Sequence, residues 1–194
     1  AWWQLWKGQY EAGVDLVVTP YRGRPVESPW WRVAPNPTYY EGESYEALRT
    51  TLARLKGDRY LRREESQPED SGFDRLSRET IRRWVTPRWK RHLERLVERE
   101  KPDAIVVYTV PIAHLSGIPT ALREKYGIPI VFYDGDVPMS LPEFGGMDTG
   151  FNPYTGADPS EYDLILSNSE GGIARLLELG ARRAEALYWG ADPE

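Results

Sequence analysis

The last third of the chain constrains the fold most. Three apolar runs there each open into a polar, glycine-bearing segment: Ile128-Pro-Ile-Val-Phe-Tyr-Asp134-Gly-Asp136, Tyr162-Asp-Leu-Ile-Leu-Ser-Asn-Ser-Glu-Gly-Gly172 and Ala184-Glu-Ala-Leu-Tyr-Trp-Gly190-Ala-Asp-Pro193. A further run, residues 104–110, is almost continuously apolar, the pattern of a strand buried on both faces. Residues 112–126 read as helical with a break near Pro119. Strands alternating with helices at this spacing predict a parallel sheet with right-handed crossovers. In such sheets ligands bind beyond the carboxyl ends of the strands. The expectation is an α/β, Rossmann-like open parallel sheet with helices on both faces, its polar strand exits gathered along one binding rim.

The upstream segments are less regular. Residues 1–12 predict a helix, with Trp2, Leu5, Trp6 and Gln9 or Tyr10 on one stripe and Gly13 as its stop. Residues 14–19 read as a buried strand. In a doubly wound fold such a helix follows a first strand and its glycine-rich turn, and that strand is missing from the sequence given. Pro20, Pro25, Pro29, Pro35 and Pro37 make residues 21–40 an extended aromatic loop. Residues 43–56 predict a helix, with Ser44 as N-cap and Gly57 as its end. Residues 62–72 have almost no apolar content and read as a surface loop. Residues 73–85 and 87–100 are two helices, or one kinked at Pro87, with Thr86 as a cap and Trp89, Leu93, Leu96 and Val97 facing inward.

Composition narrows the function classes. A length of 194 residues suits one domain, residues 1–194. The formal charge of −5 gives no overall basic footprint for nucleic acid. The basic residues at Arg82-Arg83 and from Arg88 to Arg91 read as a solvated helical face. The chain has no cysteine, which excludes disulfides, zinc-thiolate sites and thiol nucleophiles and fits a reducing cytoplasm. No apolar stretch is long enough to span a bilayer, and no signal peptide precedes the first element. Eight Trp and twelve Tyr suit core packing, contact between copies in a homo-oligomer, or a platform for the apolar face of a sugar.

Several residues at the expected rim carry candidate chemistry. Asp134 and Asp136 are two apart and share a face if the strand continues. Such a pair binds a cation, hydrogen-bonds sugar hydroxyls or supplies a general base, with Asp136 the candidate base. Asp-Gly-Asp is equally good turn chemistry. Ser167, Asn168, Ser169, Glu170, Gly171 and Gly172 precede a helix, where N–H groups attract anions and hydroxyls. A simple helix cap is the alternative. His114 follows the 104–110 strand and is a candidate substrate contact or a structural histidine. Trp30, with Trp31, Tyr39 and Tyr40, lines an acceptor cleft or packs with its loop over the sheet edge. Gly145, Gly146, Gly150 and Gly156 mark a long loop after the acidic turn.

These last segments carry a family resemblance. The 128–138 strand with its acidic turn and proline, the 162–172 strand with its Gly-Gly turn, and residues 179–194 ending Gly-Ala-Asp-Pro-Glu194 resemble the amino-terminal half of a GT-B glycosyltransferase. The closer likeness is to the CgeB-like, family-4-like group. The likeness covers about residues 101–194; upstream it rests on element order alone. It implies an acceptor-side domain that binds a sugar or glycosyl acceptor. Residues 184–194 would lead into a carboxyl-terminal donor-binding domain. The nucleotide-sugar donor would be held mostly by that second half, with no cofactor bound here. A non-catalytic assembly module of the same fold is the alternative.

Overall fold

The structure is a computed structural model that describes residues 2–44, 51, 79–144, 154 and 156–188. The chain divides into two compact units, Ala1–Gln67 with Trp189–Glu194, and Pro68–Tyr188.

In the first unit, helix α1 spans Trp2–Glu11. Gly13 stops it in the left-handed region (φ 87°), where a residue without Cβ is favoured. Strands β1 (Val17–Val18) and β2 (Arg32–Val33) pair in parallel. The strand expected over 14–19 is therefore two residues long, and it is half-buried rather than buried. Pro20 and Pro35 each follow their strand by two residues and end the pairing at its carboxyl side, because proline cannot donate to a ladder. The segment expected as a loop supplies β2 and a bridge between Ser28 and Trp31.

Residues 39–44 are helical, an earlier start than the expected residue 43. Asn36 Oδ1 accepts the Thr38 N–H at 2.9 Å, turning the chain before Tyr39. Ser44 is consequently not a cap: its hydroxyl donates back to the Tyr40 carbonyl at 2.8 Å. Thr51 is also helical. The rest of the helix expected to residue 56, its Gly57 stop, the 62–72 loop and the helix start at 73 lie outside the described residues.

Within the second unit, helical Glu79 and Thr80 lead into a π-helical turn, Ile81–Val85, that runs directly into α2, Thr86–Glu100. Thr86 lies inside this helical path, so it does not cap it. Its hydroxyl donates to the His114 carbonyl at 2.8 Å, tying α2 to the segment after the first strand of this unit. Trp89 and Val97 are buried as expected from the stripe.

Strand β3 (Ile105–Tyr108) leads through a 3-10 turn, Ile112–Leu115, to helix α3 (Ile118–Tyr126). The break falls at Gly117 (φ 78°) rather than Pro119. Pro119 sits in the first turn, where its missing N–H costs nothing. Then come β4 (Ile130–Asp134), β5 (Leu164–Ser167), α4 (Ile173–Glu178) and β6 (Ala184–Ala186).

These strands form one parallel sheet in the order β3-β4-β5-β6. The protein is thus mixed α/β, with a four-stranded parallel sheet flanked by helices, an arrangement compatible with a Rossmann-like fold. Central β4 is nearly all buried, with Phe132 and Tyr133 each 1% exposed, and Ile165 of β5 is fully buried. Ile112, Ile118, Leu122 and Leu176 complete the core. Strand β3 departs from its double-sided reading: it stands at the edge of the described sheet, and Val106 is 37% exposed.

Glu161 fixes the entry to β5. Both of its carboxylate oxygens accept the Gly117 N–H at 2.8 Å, while the Arg123 guanidinium donates to its carbonyl at 2.7 Å. Asp163 Oδ2 accepts the Ile130 N–H at 2.8 Å, locking β4 against β5. Among the described residues, no helix is long and apolar enough to cross a membrane.

Candidate functional site

The register brings the strand exits together. Tyr108 pairs with Tyr133, and Asp134 pairs with Ser167. One step beyond, the Thr109 N–H donates to the Tyr133 carbonyl at 3.0 Å and the Asn168 N–H to the Asp134 carbonyl at 3.2 Å. The Leu187 N–H continues the row to the Ser167 carbonyl at 2.8 Å. The ends of β3, β4, β5 and β6 therefore lie side by side, and the polar segments that follow them emerge at one rim.

The two acidic residues have separate environments. Strand β4 ends at Asp134, so the shared face expected if the strand continued does not form. Asp134 is 2% exposed. Its Oδ1 accepts the Asp136 N–H at 3.0 Å, and its Oδ2 accepts the hydroxyls of Ser140 and Tyr154, each at 2.6 Å. Burial, reinforced by the Asp134 carboxylate, pushes the Tyr154 phenol well above its ordinary range. Asp134 thus works as the knot of its own loop, whereas Asp136 is exposed beyond it. The Asp134 carboxylate is thus committed to three partners inside the loop rather than presented to solvent beside Asp136.

The turn after β5 is similarly knitted. Ser167 Oγ accepts the Ser169 N–H at 3.0 Å and donates to the Ser169 carbonyl at 2.6 Å. Ser169 Oγ caps the 3-10 turn Glu170–Gly172 by accepting the Gly171 N–H at 3.3 Å. The Tyr188 phenol bonds the exposed Glu170 carboxylate, which raises the phenol's pKa. Gly172 is where the two loops press together: a Cβ there would collide with Val137 Cγ1. Glycine is needed at this position for the close approach of the two loops.

His114 is 5% exposed within the 3-10 turn after β3, and its carbonyl receives the Thr86 hydroxyl. Trp30 belongs to the first unit, where its ring meets Trp3 edge-on at 4.9 Å and Lys7 Nζ lies 5.9 Å above it. Trp31 packs edge-on against Trp3 and Trp6 at 5.0 and 5.2 Å and donates Nε1–H to the Val26 carbonyl at 3.0 Å. These contacts pack the aromatic segment against helix α1. Of the candidates, Asp134, Asp136, Ser169, Glu170, Gly171 and Gly172 meet at the rim of the second unit. Gly190 and the long-loop glycines 145, 146 and 150 lie outside the described residues.

Three features were not legible in advance. Ser140 and Tyr154 bond Asp134 from six and twenty residues away, a distance no local pattern encodes. Thr109 holds a left-handed backbone (φ 45°), a strained state for a β-branched residue that recurs at functional sites. Asn168 Oδ1 is buried with no hydrogen-bond partner, a state that costs about 1–3 kcal/mol when nothing fills it.

No protein-family model, curated protein or solved structure matches this chain.

Proposed function

We propose that the chain is the acceptor-side domain of a sugar-nucleotide-dependent glycosyltransferase of GT-B type, binding a hydroxyl acceptor at the carboxyl rim of its parallel sheet. One observation carries the reading most: the in-register pairing of Asp134 with Ser167, after which the segment bearing the exposed Asp136 and the Asn168–Glu170 turn leave the sheet at the same end. Ligands of open parallel sheets bind at this end. The family resemblance supplies the carbohydrate chemistry.

In this reading Asp136 accepts the proton of the attacking hydroxyl as the glycosidic bond forms. Asp134 acts through its neighbours, fixing the Asp136 N–H and the start of the loop. Glu170 and Ser169 border the acceptor, and the exposed Gly171 allows the turn to approach it closely, while Gly172 packs the turn against Val137. The nucleotide-sugar is held chiefly by a carboxyl-terminal donor domain, and the reaction belongs in the cytoplasm. His114 supports the rim from its buried turn.

A second reading, an assembly module without catalysis, is favoured by exposed aromatics such as Trp84, 58% accessible, and Tyr188, 59% accessible. Titration calorimetry separates the two. The enzyme reading expects measurable binding of methyl α-glucoside, weakened by Asp136→Asn, and little binding of UDP-glucose by this chain alone. Absence of any glycoside binding, beside a defined oligomer, favours the module.

A further inference from the structure

We propose that Tyr188 is the stacking platform of the rim, its ring taking the apolar C–H face of a pyranoside while the Glu170 carboxylate beside it takes a hydroxyl of the same sugar. The inference rests on the carbohydrate reading above and adds the aromatic contact which that reading lacks.

Tyr188 is held in place at the exit of β6. The Leu187 N–H donates to the Ser167 carbonyl at 2.8 Å, and the Leu187 carbonyl accepts the hydroxyl of buried Tyr133 at 2.9 Å. The backbone that presents Tyr188 is thereby tied to both β5 and β4. At the far end of the side chain, the phenol bonds the Glu170 carboxylate. Glu170 opens the 3-10 turn whose last residue, Gly172, packs against Val137 of the loop after β4. The exits of β4, β5 and β6 are therefore linked, and Tyr188 belongs to the rim they form.

The ring itself is open. Tyr188 is 59% exposed, and among the described residues it meets no other aromatic ring and no cation. Trp30 differs, because its ring already meets Trp3 and Lys7. Trp84 and Phe144, exposed aromatic residues of the same unit, sit in a π-helical and a 3-10 turn rather than directly after a sheet strand. A solvent-facing tyrosine ordinarily samples several rotamers. One fixed at its backbone and at its phenol has already lost that freedom, so stacking on it costs little further entropy.

The chemistry of the pair selects the ligand. The face of an aromatic ring is its negative side and meets polarised C–H groups favourably. The Glu170 carboxylate is exposed, and the phenol occupies one of its several acceptor sites. A flat apolar surface beside a hydrogen-bond acceptor complements a pyranoside, whose C–H face is flanked by hydroxyl donors. A nucleobase also stacks on tyrosine, so uridine serves as the second probe.

The test is proton NMR of the whole chain with methyl α-glucoside. The ring protons of the sugar should move upfield, as they do over an aromatic face, and the Tyr188 ring resonances should move with them. Tyr188→Ala should abolish the upfield shift and weaken binding at least about fivefold. Tyr188→Phe keeps the ring and should keep the upfield shift. Uridine should leave the Tyr188 resonances in place. Unchanged affinity in Tyr188→Ala would overturn the inference, as would uridine displacing the glucoside from the ring. Loss of the upfield shift in both variants, with a lower melting temperature in each, would overturn it by making the tyrosine a structural residue. Backbone shifts at Asp136 and Ser169 without any upfield shift of the sugar would overturn it while leaving the carbohydrate reading intact. No glucoside-induced shift anywhere on the rim would sink both.

Discussion

The two compact units are built on different physics. The second is organised by aliphatic strands of four or five residues at its centre, paired in one register. The first has only two-residue strands and is held by tryptophan rings meeting edge to face. Period-2 and period-3.6 patterns encode the former, so a reader of sequence can find it. Edge-to-face aromatic contacts have no period. The same contrast recurs within the rim, where Asp134 is buried and triply bonded while Asp136, two residues on, is exposed.

That last contrast gives the largest expected effect. Asp134→Ala strands the hydroxyls of Ser140 and Tyr154 and should cost about 3–4 kcal/mol in urea unfolding. Asp136→Ala should change stability by no more than about 0.5 kcal/mol. Equal losses at the two positions would break the distinction between loop knot and exposed site residue.

Trp31→Ala should cost about 3 kcal/mol, because it removes a nearly buried ring from the centre of its cluster. Hydrogen exchange sharpens the comparison: protection should fall first at β1 and β2 while β4 keeps its own. Simultaneous loss in β4 would show that the two units unfold as one.

Gly172→Ala should cost about 1–3 kcal/mol through collision with Val137. Adding Val137→Ala should recover part of that loss, a coupling that a double-mutant cycle reads directly. Additive losses would mean that the loops do not meet there.

The smallest effect concerns pH. Burial, with Arg99 and Arg95 adding to it, holds the His92 pKa below its ordinary value. The unfolded chain then binds more protons just below the normal histidine pKa. The contribution from His92 is present above that pH and is lost as pH falls through the depressed value. His92→Gln should flatten this part of the stability–pH curve in weakly acidic buffer; an unchanged curve would assign it to other groups.

How much was legible follows from the same physics. Strands β4 and β5 stood out because continuous apolar runs end in turn residues. Strand β3 was equally visible, but its edge position was not, since sheet order depends on contacts between segments distant in sequence. The helix break moved from Pro119 to Gly117 because proline suits a first turn as well as it stops a helix. The Asp134–Asp136 pair was read as a possible shared face, and only the strand end decides that. Ser169 as a cap was within reach of local rules. The unpartnered Oδ1 of Asn168 was not, because it depends on what fails to reach it.

The most direct test of the central claim is to map where a sugar touches the chain. Backbone amide shifts of the ¹⁵N-labelled protein, titrated with methyl α-glucoside, should move together at Thr109, Gly135, Asp136, Asn168 and Ser169. Shifts confined to the opposite strand ends, near Asp103, Pro129's neighbour Ile130 and Arg183, or no shifts at all, would contradict it.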